Sequence, residues 1–255
     1  MKTVPVAICI IAYNEEKNIG ACLESVLGRA AQVVVLNASS TDDTKKVVQS
    51  FKGVTYVEHP NEKNLNVNKM RSFEAVDQPW TFYLDADERF TPELWEEVAA
   101  AVEDKAYNGY KVGRKNMYFG TWLRYGGQYP ELQPRLFRTG KGTFAMQHVH
   151  EYLQIEGSVG TLSQPFIHLA YSTMEQYFRK FNQYSDFQAA KWAKEGVIWN
   201  AKNNLKFGLI RPFGRFCQKY IVMAGFLDGF LGFVVAFFQG AGELAAYLRV
   251  RDHQQ

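Results

Sequence analysis

Asp85 and Asp87 stand one residue apart at the end of the apolar run Trp80–Leu84, with Glu88 and Arg89 next. Paired carboxylates on a tight turn offer hard oxygen ligands suited to Mg²⁺ or Mn²⁺, ions that keep positions open and share them with substrate phosphates. A solvated acidic turn is the plainer reading; the place of the pair at the end of a buried strand favours the metal. Two more polar clusters close apolar runs in the same way. Tyr13-Asn14-Glu15-Glu16 follows Val4–Ala12, where Tyr13 can stack on a nucleobase and Asn14 can cap a helix. Asn37-Ala38-Ser39-Ser40 follows Gln32–Leu36. No G-x-x-x-x-G-K-[ST] occurs, which excludes a P-loop NTPase, and no G-x-G-x-x-G follows the first run.

These clusters need elements to hold them. Val4–Ala12, Gln32–Leu36, Val54–His59 and Trp80–Leu84 read as buried strands. Between them lie helical patterns: one with Ile19, Leu23, Val26 and Leu27 on a single face, one capped by Ser40 or Thr41 and ended by Gly53, and one over Asn66–Val76. Thr91-Pro92 opens a further helix, with Pro where its missing N–H costs nothing. Strands alternating with helices predict an α/β fold, a mostly parallel central sheet with helices on both faces, and ligands beyond the carboxyl ends of its strands. After Gly109 shorter strands are expected at Tyr110–Arg114, Leu132–Arg138 and His150–Ile155, and Ser172–Glu175 reads as a capping box opening a long helix.

The 255 residues carry a net charge of +3, which gives no argument for nucleic acid. Hydrophobic residues at 47% exclude disorder as the main state. Cys9, Cys22 and Cys217 are too few and scattered for a disulfide framework, which favours a reducing compartment. The charge is unevenly spread: residues 1–171 sum to −2 and residues 172–255 to +5. Two domains follow, 1–171 and a helical extension 172–255. In the extension Lys206, Arg211, Arg215 and Lys219 recur at near-helical spacing ahead of the apolar Gly229–Phe238. An amphipathic pair lying in a membrane interface fits this better than a clean span; a hairpin packed on the protein's own core is the alternative.

Three stretches together, Ile10-Ile11-Ala12-Tyr13-Asn14-Glu15-Glu16, Asn37-Ala38-Ser39-Ser40-Thr41-Asp42-Asp43-Thr44 and Leu84-Asp85-Ala86-Asp87-Glu88, resemble the family 2 glycosyltransferases of the GT-A fold. The chain more narrowly resembles the small bacterial enzymes that add a β-linked hexose, commonly glucose, to the inner core of lipopolysaccharide or lipooligosaccharide. That likeness rests on Asn116 with Gly120 and Trp122, Gly126-Gly127 with Tyr129-Pro130, Gln133-Pro134-Arg135-Leu136-Phe137-Arg138, Val149-His150-Glu151, and Gly225-Phe226-Leu227-Asp228-Gly229.

The resemblance implies an inverting, metal-dependent hexosyltransferase using a UDP-linked sugar. It places Ala12, Tyr13, Glu15, Asn37, Lys69, Asp85, Ala86, Gln133 and Arg135 at the nucleotide-sugar, with Tyr13 and Glu15 at base and ribose and Gln133 and Arg135 at the donor sugar or diphosphate. Asp87 would bind Mg²⁺ or Mn²⁺, and Glu151 would be the general base. His168 is either a further metal ligand or a structural histidine. Trp122, Tyr125 and Tyr129 are either sugar contacts or core. The partners implied are the nucleotide sugar, a glycan or lipid-linked acceptor and an anionic membrane surface, with the enzyme peripheral on the cytoplasmic face of the inner membrane. Asn37 departs from the family's usual aspartate, and as a neutral amide it would read a base without charge assistance. Two other classes stay open: a nucleotidyltransferase, although Ala12–Lys17 is not a glycine- and basic-rich triphosphate loop, and a non-catalytic nucleotide-sugar-binding module.

Overall fold

The structure is a computed structural model that describes residues 3–62, 64–145 and 151–254. Val149 and His150 of the Val149-His150-Glu151 motif lie outside the described residues. The chain divides into two compact units. One runs through Arg114 and resumes over Glu131–His168; the other comprises Lys115–Pro130 and the chain from Leu169 onward. The second unit therefore begins three residues before the expected boundary and takes in the 115–130 segment as well.

The first unit is built on β1 (Val4–Ala12), α1 (Ile19–Val26), β2 (Ala30–Asn37), α2 (Thr44–Ser50), β3 (Val54–Glu58), α3 (Leu65–Glu74), β4 (Trp80–Asp85), β5 (Glu88–Arg89) and α4 (Pro92–Ala101). Strands β3, β2, β1 and β4 lie side by side and parallel. Alternate residues of β1 explain why helices cover both faces. Val6, Ile8 and Ile10 pack with Ile19, Leu23 and Val26 of α1 and with Leu94 and Val98 of α4. Cys9 packs on the other side with Val34 and Tyr83, against Met70 and Phe73 of α3. Each such fully buried side chain contributes about 1.5–3 kcal/mol. The later strands are β6 (Gly109–Tyr118), β7 (Thr121–Trp122), β8 (Glu131–Arg138), β9 (Gly142–Thr143), β10 (Gln154–Ile155), β11 (Val159–Thr161) and β12 (Phe166–Tyr171). β8 adds antiparallel to β4, β6 antiparallel to β8, and β12 antiparallel to β5. Crossovers β1 to β3 run outward one way and β4 returns to the other side of β1, so the strand order reverses between β1 and β4, where ligands of such sheets bind.

Helix starts differ from expectation where loop residues have tertiary partners. Asn14 does not cap α1; it adopts a left-handed φ of 55° and accepts from the Thr41 backbone N–H at 2.8 Å. Neither Ser40 nor Thr41 caps α2; Asp42 accepts from the N–H of Thr44 at 3.0 Å. Thr91 does cap α4, accepting from Leu94 N–H at 3.1 Å.

The second unit carries α5 (Met174–Lys194), α6 (Ala201–Leu205), α7 (Arg211–Cys217) and α8 (Gly229–Arg249). The capping box of α5 stands one residue beyond the expected one: Thr173 accepts from Gln176 N–H, and Gln176 accepts from Ser172 N–H. α8 packs against α5 through Phe238, which meets Tyr177 and Phe181. It approaches α7 so closely at Gly240 that a Cβ there would lie 2.7 Å from the Pro212 carbonyl oxygen. Asp228, the one charge between Ile221 and Phe238, accepts from the backbone N–H groups of Arg124 and Tyr125 at 3.1 and 2.8 Å. The outer face stays apolar and open: Leu209, Phe213, Val222 and Phe230 are 66%, 70%, 78% and 81% exposed. The stretch Gly225–His253 is long and apolar enough to cross a membrane, and a third of its most apolar window is buried.

Candidate active site

Parallel pairing sets the carboxyl ends of β2, β1 and β4 beside one another, with Asn37 opposite Ala12 and Asp85 opposite Ile11. The loops that leave β1 and β2 are tied together. Besides the Asn14–Thr41 bond, Asn14 N–H donates to Ser40, Glu15 N–H to Thr44, Glu16 N–H to Asp42, and Asp43 N–H to Glu16. Tyr13 projects from this clamp, 44% exposed.

The turn after β4 is held from beneath. Glu88, wholly buried, accepts the Asp85 backbone N–H at 2.8 Å and takes a two-pronged guanidinium from Arg135 at 2.7 and 2.9 Å. Arg135 also donates to the Tyr83 carbonyl and to Gln133, and its Nη2 lies 3.5 Å from Asp85. Gln133 in turn donates to Glu131. Lys69, on α3, stands 3.5 Å from the other Asp85 oxygen and 4.8 Å over the Tyr83 ring. Burial acts to raise the Asp85 carboxyl, but Lys69 and then Arg135 hold it well below the usual carboxylate range. Burial pushes Glu88 up to about 7 against the pull of Arg135.

Asp87 points elsewhere. Its carboxylate lies 3.5 Å from His168 Nε2, and both are partly exposed. The carboxylate suits Mg²⁺ or Mn²⁺, and the imidazole beside it suits Mn²⁺ better than the harder Mg²⁺; the pair leaves positions for diphosphate oxygens. Among the described residues no cluster of three or more His, Cys, Asp or Glu side chains converges as a closed metal cage.

The structure thus brings together Lys69, Asp85, Ala86, Asp87, Gln133, Arg135 and His168. Ala12, Tyr13, Glu15 and Asn37 stand at the neighbouring strand ends. Glu151 is half-buried, just before buried Leu153. Two side chains expected to face the donor are enclosed. Arg135 is 1% exposed, its outer nitrogens taken by protein acceptors. Asn37 is fully buried; its amide oxygen accepts from Ser40 at 2.6 Å and its NH₂ donates to the Tyr56 hydroxyl at 3.0 Å. Trp122 and Tyr129 are half-buried; they meet edge-on in the second unit, with Arg124 over the Trp122 ring. Sequence reasoning placed Glu88 and Ser40 in the strand-end clusters without their roles, and missed Tyr56. The signal for Glu88 was Arg135, a charge flanked in its strand by Pro134, Leu136 and Phe137, which if buried demands a counter-charge.

Residues 7–154 match the family described as glycosyl transferase family 2. The chain belongs to glycosyltransferase family 2. It is 32% identical over 202 residues to the lipopolysaccharide core biosynthesis glycosyltransferase LpsC of Rhizobium meliloti (strain 1021), covering 76% of this chain and 73% of that one. Among solved structures, the fold resembles the mannosyltransferase PcManGT of Pyrobaculum calidifontis, in complex with GDP-Man and Mn²⁺, with a TM-score of 0.57, 13% identity and coverage of 100% and 89%. It also resembles S. aureus TarS 1-349 in complex with UDP, with a TM-score of 0.52, 13% identity and coverage of 97% and 90%. These likenesses establish the GT-A fold for this family 2 enzyme.

Proposed function

We propose that this enzyme is an inverting hexosyltransferase that moves a hexose, with glucose expected, from a UDP-linked sugar to lipopolysaccharide core or a related lipid-linked glycan. The Asp85–Asp87 turn carries the reading: one carboxylate is kept ionised between Lys69 and Arg135, and the other faces His168. The Rhizobium relative, named for lipopolysaccharide core biosynthesis, supports the acceptor class. The neighbours bound to UDP and to GDP-Man with Mn²⁺ support a nucleotide-sugar donor and a divalent ion.

In this reading the acceptor hydroxyl gives its proton to Glu151 as its oxygen bonds to the anomeric carbon. The bond from that carbon to the diphosphate oxygen breaks, and its electron pair leaves with the nucleoside diphosphate. One displacement inverts the anomeric centre. Tyr13 stacks on the base, Asp85 contacts the nucleotide sugar, and Lys69 offsets charge gathering on the leaving group. Asp87 and His168 hold Mg²⁺ or Mn²⁺; such an ion, when bound, acts as a Lewis acid on the diphosphate. Arg135 keeps Asp85 and Glu88 in place. The open apolar face of the second unit, with Lys206, Arg211, Arg215 and Lys219, seats the enzyme on anionic lipid at the cytoplasmic face of the inner membrane.

Nucleoside diphosphate release, measured over a panel of nucleotide sugars with core oligosaccharide as acceptor, tests this. A UDP-hexose should be preferred, the product should have inverted configuration, and EDTA should abolish turnover. Glu151→Gln should cut turnover about 10²–10⁴-fold while donor binding holds. Release from no nucleotide sugar would sink the proposal.

A further inference from the structure

The second unit contains a cavity of about 360 Å³ lined mainly by α5 and α8, within the size range of small-molecule sites. Apart from Tyr118, every residue lining it lies beyond residue 154, outside the stretch that matches the family. Its walls are largely aromatic: Tyr171, Tyr177, Phe181, Tyr184 and Phe238. They are braced edge to face, Tyr171 on Tyr177 at 4.7 Å and Tyr177 on Phe238 at 5.6 Å. Two side-chain amides, Gln188 and Gln239, also line it, and neither has a hydrogen-bond partner among the described residues. Ser185, already bonded to the Asn182 carbonyl and to Arg249, and an ion pair, Arg215 with Glu243 at 3.8 Å, add to the polar part of the wall.

This lining selects among occupants. An acyl chain would suit the rings but strand two amides and an ion pair away from water. A phosphate would meet the Glu243 carboxylate. A sugar ring satisfies both parts, with C–H faces against the aromatic rings and hydroxyls that donate to and accept from the amides. We infer that this cavity binds one saccharide unit of the acceptor glycan, an assignment that rests on the acceptor class proposed above. The reacting hydroxyl belongs to the donor site; the cavity's role is to grip the acceptor and set its affinity.

The probe is delipidated lipopolysaccharide core oligosaccharide, added to the full-length enzyme without donor. Saturation-transfer NMR should show contact through ring C–H protons. The double variant Gln188→Leu/Gln239→Leu should weaken that signal and raise the oligosaccharide KM about tenfold, as expected for two lost hydrogen bonds, with the effect on KM rather than kcat. Tyr184→Ala, at a position 52% exposed, should raise the same KM less and serves if the double variant does not fold. No transfer to the oligosaccharide in wild type, or an unchanged acceptor KM in folded variants, overturns the assignment. Transfer to sodium decanoate but not to the oligosaccharide overturns it in favour of an acyl site. Failure of the cavity assignment leaves nucleoside diphosphate release from nucleotide sugars intact in wild type, whereas failure of the transferase reading abolishes it, so the two are read apart.

Discussion

Arg135 reaches almost no solvent, yet it holds the Asp85–Asp87 turn. Its guanidinium neutralises Glu88, which fixes the Asp85 backbone, and it helps keep Asp85 ionised. Arg135→Met should therefore cost about 3–5 kcal/mol in urea unfolding, the usual penalty for stranding a buried partner charge. Glu88 has a raised folded value, so the stability linked to it falls as pH rises from its ordinary 4.5 towards about 7. Without Arg135 that fall continues higher, so the gap between variant and wild type should widen above about pH 7. A weaker donor KM with stability intact would instead make Arg135 a donor contact. Asn37 follows the same logic. Asn37→Asp removes the donor to Tyr56 and adds a buried carboxylate near Glu58, whose oxygen accepts from Tyr56. It should cost about 1–3 kcal/mol and bring no gain in UDP affinity by calorimetry. Tighter UDP binding would mean that the side chain turns out to read the base. The sequence could name Asp85 and Asp87 as candidates because they stand in a strand-end motif, and Lys69 through the family resemblance; it could not show what Glu88 and Tyr56 hold, because their partners lie 47 and 19 residues away.

At the scale of elements, strands were easier to read than helix ends. Continuous apolar runs such as Val4–Ala12 can only be satisfied inside a sheet, so β1 begins and ends where its pattern does. Helix starts depend on which backbone groups the loop residues satisfy, and here Asn14 and Asp42 are claimed by the clamp between the first two loops. That clamp makes a two-part prediction. Asn14 holds a left-handed φ and also accepts from Thr41. Asn14→Gly keeps the backbone permissible and loses only what its side chain accepts from Thr41, a backbone N–H at 2.8 Å and a long hydroxyl contact at 3.3 Å, about 0.5–1.5 kcal/mol. Asn14→Ala loses the bond and adds left-handed strain of roughly 1–2 kcal/mol. Thermal unfolding should rank wild type above Asn14→Gly above Asn14→Ala, with Tyr13-dependent donor affinity falling in the same order. Equal stability of the two variants would show that the φ is not imposed by the fold.

For the whole molecule, the chain divides into two compact units, and the contrast between a net −2 stretch and a net +5 stretch says nothing of where 115–130 falls, which is with the second. The second part presents an apolar face that water does not favour. Of the four basic residues expected beside this face, three are compromised. Arg211 and Arg215 share Glu243 at 2.9 and 3.8 Å, and burial, helped by Arg215, lowers the Lys219 ammonium below its ordinary value. A basic side chain near an anionic surface contributes about 1 kcal/mol when its charge is free. Burying an exposed Phe contributes about 1.5–3 kcal/mol. Phe213 and Phe230, the most exposed aromatics of this face, should therefore matter more than the basic set. Wild type should sediment with phosphatidylglycerol vesicles, less so with phosphatidylcholine, and lose part of that binding as salt rises. Phe213→Ser/Phe230→Ser should release more protein than joint neutralisation of Lys206, Arg211, Arg215 and Lys219. It should do so with little change in unfolding temperature, because both rings are mostly exposed and Phe230 touches only the half-exposed Phe233 ring among aromatics. Wild type that stays in the supernatant with anionic vesicles at low salt would remove the membrane from the proposal and leave this face to a protein partner.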